Sequence, residues 1–178
     1  AQGVLAALVR KARTGQGGLV QTSLLEALLD FQFEVLTTHL NDGGRLPQRS
    51  AVNGAHAYLG APYGVYQTAD GWLALAMTPS LERLATLLGL QGLDNWFNDP
   101  RQAMRDRDAI KEIIAAGVKT MGTAHWLAVL QPADIWCAEV MDWPGLMASD
   151  AFGRLKMVQH ISGATASLDT LRGPLRID

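Results

Sequence analysis

The sequence is poor in several things, and each shortage excludes something. Of 178 residues one is cysteine, Cys137. No internal disulfide can form, and a zinc site would lack thiolates. Cys137 lies in the apolar run IWCAEV and reads as a small buried hydrophobe rather than a reactive thiol. Histidine is scarce as well, with only His39, His56, His125 and His160. None stands at zinc-motif spacing from another histidine or a carboxylate, so no metal is expected. Excess positive charge is missing. The formal net charge is −2, which argues against a surface built on phosphate neutralisation and so against nucleic acid as a partner. The densest basic group, Arg10-Lys11-Arg13, complements a helix C-terminus. No apolar run reaches membrane-spanning length and no signal peptide is visible, so no membrane is expected. The expected compartment is a reducing cytoplasm.

The hydrophobic patterning predicts mixed helices and strands. A helix over 1–14 carries Val4, Leu5, Leu8 and Val9 on one side and ends at Gly15. It has no initiator Met and no N-cap, and the last residues, GPLRID, read as a strand. Both ends read as cut, which points to a piece of a larger protein. A short strand is expected over 19–21. Ser23 and Glu26 then have capping-box spacing and open a helix to about Leu40 that is apolar almost all round, predicting burial on several sides. Residues 41–62 lack periodicity and read as a linker or functional loop. A hairpin follows over 63–77, YGVYQTADGWLALAM, with Gly71 expected at the φ > 0 position of its turn. Thr78-Pro79 reads as the start of a helix closed by Gly89. Residues 91–105 read as irregular. Helices are expected over 109–121 and 123–130, a strand over 135–140, a short helix over 143–149, and strands near 155–161 and 175–177.

Spacing alone yields little chemistry. TGQGGLV, at 14–20, is not a dinucleotide loop, because the order is helix, glycines, strand instead of strand, glycines, helix. No serine sits in a nucleophile elbow. Most carboxylates have local explanations: Asp70 in a turn, Asp106 or Asp108 at an N-cap, Glu82 and Glu112 on solvated helix faces. His56 is singled out because it lies in the aperiodic loop, where function concentrates.

Four segments occur together in a telling order: GVLAALVRKARTGQGGLVQTSLLEALL, APYGVYQTADGWLALAM, LERLATLLGL and DIWCAEVMD. Together they resemble the family III coenzyme A transferases, the CaiB/BaiF group, which includes formyl-CoA transferase, carnitine CoA-transferase and the α-methylacyl-CoA racemases. The resemblance covers nearly the whole chain, and the hairpin with its TADGW turn is its most specific element. It implies an α+β chain. Residues 1–40 would be the last helix, strand and helix of a large doubly wound CoA-binding domain, 41–62 a linker, and 63–178 the small domain. In the family two chains interlock as rings, which implies a homodimer.

The resemblance also implies a reaction. An aspartate attacks an acyl-CoA thioester, giving an anhydride, then an enzyme-bound CoA thioester, then a new acyl-CoA, with acyl-CoA and carboxylic acids as substrates and no permanently bound cofactor. That aspartate would lie upstream of Ala1, so the chain is expected to have no catalytic residue of its own and to be inactive alone. His56 and Tyr58, in the loop that shields the active site, and Thr78, ending the strand that faces it, are the expected pocket residues. Racemases carry a glutamate where this chain has Thr78, and a hydroxyl without a base cannot take a carbon-bound proton at useful rate. A racemase using His56 or Tyr66 as base, and a non-catalytic assembly module, are the alternatives. The glycine run of formyl-CoA-type members is reduced here to Gly54 and Gly60 in NGAHAYLGAP, leaving a larger acyl acceptor open.

Overall fold

Residues 2–54, 56–78 and 80–175 are described by the computed structural model. They form an α+β chain that divides into two units, Ala1–Arg49 and Ser50–Asp178. In the first unit α1 (Gln2–Thr14) carries Lys11 and Arg13 in its last turn, where cations meet the negative end of the helix dipole. Gly15, at φ 72°, closes it and its amide donates to the Lys11 carbonyl at 2.8 Å. The strand expected over 19–21 does not form, for no neighbouring strand supplies a ladder there.

The capping box is present. The Glu26 amide donates to Ser23 Oγ at 3.2 Å, and the Ser23 amide donates to Glu26 Oε2 at 2.8 Å. The helix it opens breaks at Gln32 (φ −94°, ψ 13°) into α2 (Leu24–Phe31) and α3 (Phe33–Asn41). The burial expected of this helix is not found. Leu24 is 85% and Phe31 90% exposed, and α1 to α3 contain no buried residue.

The second unit is built on an antiparallel sheet of β1 (Gly64–Gln67), β2 (Trp72–Leu75) and β3 (Cys137–Glu139), in that spatial order. Around it stand α4 (Leu81–Leu88), a 3₁₀ turn (Asp94–Trp96), α5 (Pro100–Arg105), α6 (Arg107–Val118) and α7 (Thr123–Leu130). Strand alternation turns Tyr66, Leu73 and Leu75 inward, where they meet Leu84, Leu88, Ile110, Ile114, Val118, Trp126 and Leu130 in one apolar core. The buried aromatics satisfy their polar tips: Tyr66 Oη donates to the Pro62 carbonyl at 2.6 Å and Trp126 Nε1 to the Val118 carbonyl at 2.7 Å.

Several boundaries differ from expectation. Ser80, not Thr78, caps α4, with the Arg83 amide donating to its Oγ at 3.1 Å; Pro79 lies outside the described residues. Residues 91–105 are irregular only in part: Asp94–Trp96 form the 3₁₀ turn, and Asp99 caps α5, which Pro100 starts. Gly71 is not at positive φ. It is small because a Cβ there would stand 3.1 Å from Thr123 Oγ1. Beyond β3 come α8 (Trp143–Ala148), α9 (Asp150–Leu155) and a separate hairpin of β4 (Val158–Ser162) and β5 (Ser167–Leu171). Residues 176 and 177 of the last expected strand lie outside the described residues.

Candidate functional site

The aperiodic residues after Arg49 are fastened to α6. Ser50 Oγ and the Ala51 amide both donate to the Asp108 carboxylate. Arg107 Nη1 donates to the carbonyls of Ala57 at 2.7 Å and Leu59 at 3.3 Å. The Ser50 hydroxyl above all, with the Ala51 amide and the charges of Arg107 and Lys111 adding to it, holds the Asp108 carboxyl below its ordinary range against the effect of burial. Lys111, one helical turn on, is fully buried, and its Nζ has no hydrogen-bond partner among the described residues. Burial, followed by the Arg107 charge, lowers its pKa, while Asp108 opposes the shift.

The three residues singled out from sequence occupy two places. His56 and Tyr58 lie together: the Tyr58 amide donates to His56 Nδ1 at 3.3 Å, and the two rings are 6.2 Å apart. Thr78 stands at the approach to α4, where its Oγ1 donates to the Ser80 carbonyl at 3.3 Å and accepts from the Ser80 amide at 3.4 Å. Among the described residues no group of three or more His, Cys, Asp or Glu could hold a metal ion. Among the described residues no single helix is long and apolar enough to cross a membrane.

Sequence reasoning missed a groove on the outer face of the sheet. Its register follows from the ladder: Val65 pairs with Ala74 and Ala74 with Ala138, so the three side chains form one outward row across the strands. One step along, the Ala76 amide donates to the Trp136 carbonyl at 2.9 Å. Continuing the same register sets Tyr63, Ala76 and Trp136 in a second outward row. Alanine therefore lies at the centre of both rows, with Tyr63 and Trp136 rising on either side.

Gly54 and the edge of Cys137 complete a cavity of about 410 Å³. Gly54 is held nearby because the neighbouring Asn53 carbonyl accepts from the Val65 amide at 3.2 Å. Burial pushes the Cys137 thiol up, keeping it neutral. The available signal was the parity of Ala74, Ala76 and Ala138 between two aromatics. It was unreadable until β3 was known to pair with β2.

The sequence pattern of CoA-transferase family III matches residues 1–178. The chain belongs to CoA-transferase family III. Among curated relatives, the acetyl-CoA:oxalate CoA-transferase of Acetobacter aceti is 26% identical over 144 residues, covering 79% of this chain and 36% of that protein. The succinyl-CoA–L-malate CoA-transferase alpha subunit of Chloroflexus aurantiacus is 30% identical over 116 residues, covering 62% of this chain and 26% of that protein.

Solved structures share the fold. The crystal structure of Rv3272 from Mycobacterium tuberculosis superposes with a TM-score of 0.77 at 19% identity, over 99% of this chain and 46% of that one. A CaiB/BaiF family protein from Brucella suis gives 0.69 at 22% identity, over 97% and 45%. The family III chain thus spans less than half the length of the relatives it matches.

Proposed function

We propose that this chain is part of an acyl-CoA:carboxylate CoA-transferase. The observation that carries the reading is the family match along the whole chain, joined to relatives that are named for CoA transfer. The net reaction exchanges partners: one acyl-CoA and one free carboxylate become the other carboxylate and the other acyl-CoA. Transfer runs through an aspartate. Its carboxylate attacks the thioester carbonyl and releases CoA thiolate, leaving a mixed anhydride. The thiolate attacks the aspartyl carbonyl and expels the first carboxylate. The acceptor carboxylate then displaces CoA to form a second anhydride, and the returning thiolate takes the acceptor acyl group.

That aspartate belongs upstream of Ala1, so this chain supplies surface and no nucleophile. Residues 1–40 act as the last elements of the large domain, 41–62 as the linker and 63–178 as the small domain. His56, Tyr58 and Thr78 line the pocket in the whole protein, which works as a homodimer in the cytoplasm. The test is isotopic exchange. Whole protein, incubated with an acyl-CoA and a ¹³C-labelled carboxylate, is expected to yield labelled acyl-CoA, and the 178-residue chain alone none. Absence of labelled thioester over a panel of donors overturns the reading, and a stable folded oligomer that exchanges nothing favours an assembly module.

A further inference from the structure

Among the described residues, the ten that line the outer-face groove include no Lys, Arg, His, Asp or Glu. The side-chain donors they offer are the Tyr63 hydroxyl and the Trp136 indole N–H. The cavity, about 410 Å³, falls in the range of about 300–1,000 Å³ typical of small-molecule sites. Its floor is methyl groups and backbone, from Ala74, Ala76, Ala138 and Gly64, and its sides are the rings of Tyr63 and Trp136. Such a site accepts an aliphatic chain or a flat ring. It repels a carboxylate, which would exchange its hydration for a surface with no cation to pair with.

Resting on the transferase reading above, we propose that this groove binds the acyl group of the CoA thioester. We further infer that this acyl group is uncharged, aliphatic or aryl, rather than one bearing a second carboxylate. The charge match is the argument: a transferase must recognise an acyl group, and this wall has no means of neutralising a charged one. The relatives named for oxalate, succinate and malate act on dicarboxylates, and this chain departs from them in substrate class. Ala74, Ala76 and Ala138 set how deep the acyl group lies, and Trp136, 69% exposed, closes over it as a lateral wall.

The test uses the chain itself, followed by NMR of its alanine methyls and Trp136 indole during titration with hexanoyl-pantetheine and, separately, succinyl-pantetheine. Hexanoyl-pantetheine is expected to shift the Ala74, Ala76 and Ala138 methyls saturably, and succinyl-pantetheine to bind at least tenfold more weakly. Ala138→Phe, at an exposed position, should abolish the hexanoyl shifts, and Trp136→Ala should weaken binding severalfold. Absence of saturable shifts, equal affinity for the two thioesters, or indifference to both substitutions overturns the proposal. Should Ala138→Phe fail to fold by circular dichroism, Trp136→Ala carries the comparison. Failure of the whole protein to exchange CoA would overturn the transferase reading instead. Exchange that prefers dicarboxylic donors would overturn the groove assignment alone.

Discussion

Asp70 does more than turn a hairpin. Its Oδ1 accepts from the Thr123 amide at 2.7 Å and from Thr123 Oγ1 at 3.0 Å, so one loop caps the N-terminus of a helix more than fifty residues away. Gly122 precedes that helix with no cap of its own, and a Cβ there would fall 2.5 Å from Asp70 Oδ2. The Thr123 amide first, and the Thr123 hydroxyl next, hold the Asp70 carboxyl below its ordinary range. A carboxyl lowered by folding stabilises the protein at pH above its unfolded value, about 3.9, and that contribution disappears as pH falls through the depressed value. Asp70→Ala is expected to lower the unfolding midpoint at pH 7 and to flatten the acid limb, read by urea denaturation from pH 2 to 7.

Lys111 runs the other way. Folding lowers its pKa, so the unfolded chain binds more protons between the two values, and stability declines as pH falls from about 10.4. Removing a buried donor that lacks a partner relieves a cost of about 1–3 kcal/mol. Lys111→Met is expected to stabilise the chain by an amount in that range and to remove the alkaline dependence, measured by denaturation at pH 7 and pH 10.

At the scale of elements, legibility followed the range of the interaction that decides each one. Elements that rest on local signals form where those signals stand. The Ser23–Glu26 box, the Gly89 cap at φ 66° and α7 over Thr123–Leu130 all appear as expected. Where two local signals competed, the reading failed. Thr78-Pro79 looked like a helix start, but the Ser80 hydroxyl two residues later reaches the Arg83 amide. Ser80→Ala is expected to cost about 1 kcal/mol and Thr78→Ala no more than about 0.5, measured as paired shifts in unfolding free energy. The helices α5 and α9, six residues each, are absent from the expectations drawn from sequence, whereas α8, of the same length, is among them. The outer groove was beyond reach for another reason. Its rows depend on β3 pairing with a strand more than sixty residues earlier, and no local pattern records such a partner.

Over the described residues, apolar exposure falls both on the helices where periodicity predicted burial and on the stretch from Trp136 to Leu175. Val4, Leu5, Leu8, Leu25, Leu28 and Phe33 are all more than half exposed, whereas the core of the second unit is closed. Exposed apolar surface of this extent marks an interaction face. Leu25→Glu with Phe33→Glu is expected to reduce binding of an apolar dye and concentration-dependent association in sedimentation. The unfolding midpoint of the 50–178 unit should stay unchanged, because neither side chain contributes to its core.

The single cysteine carries a practical consequence. Cys137 is half-buried at the edge of the groove and has no second thiol to compete with it. Its rate of reaction with a thiol reagent therefore reports on one location only. Paired with Leu75 and turned with it toward the core, the thiol reacts at a rate that follows the opening of β3 from the sheet, which makes the native chain its own reporter of that opening.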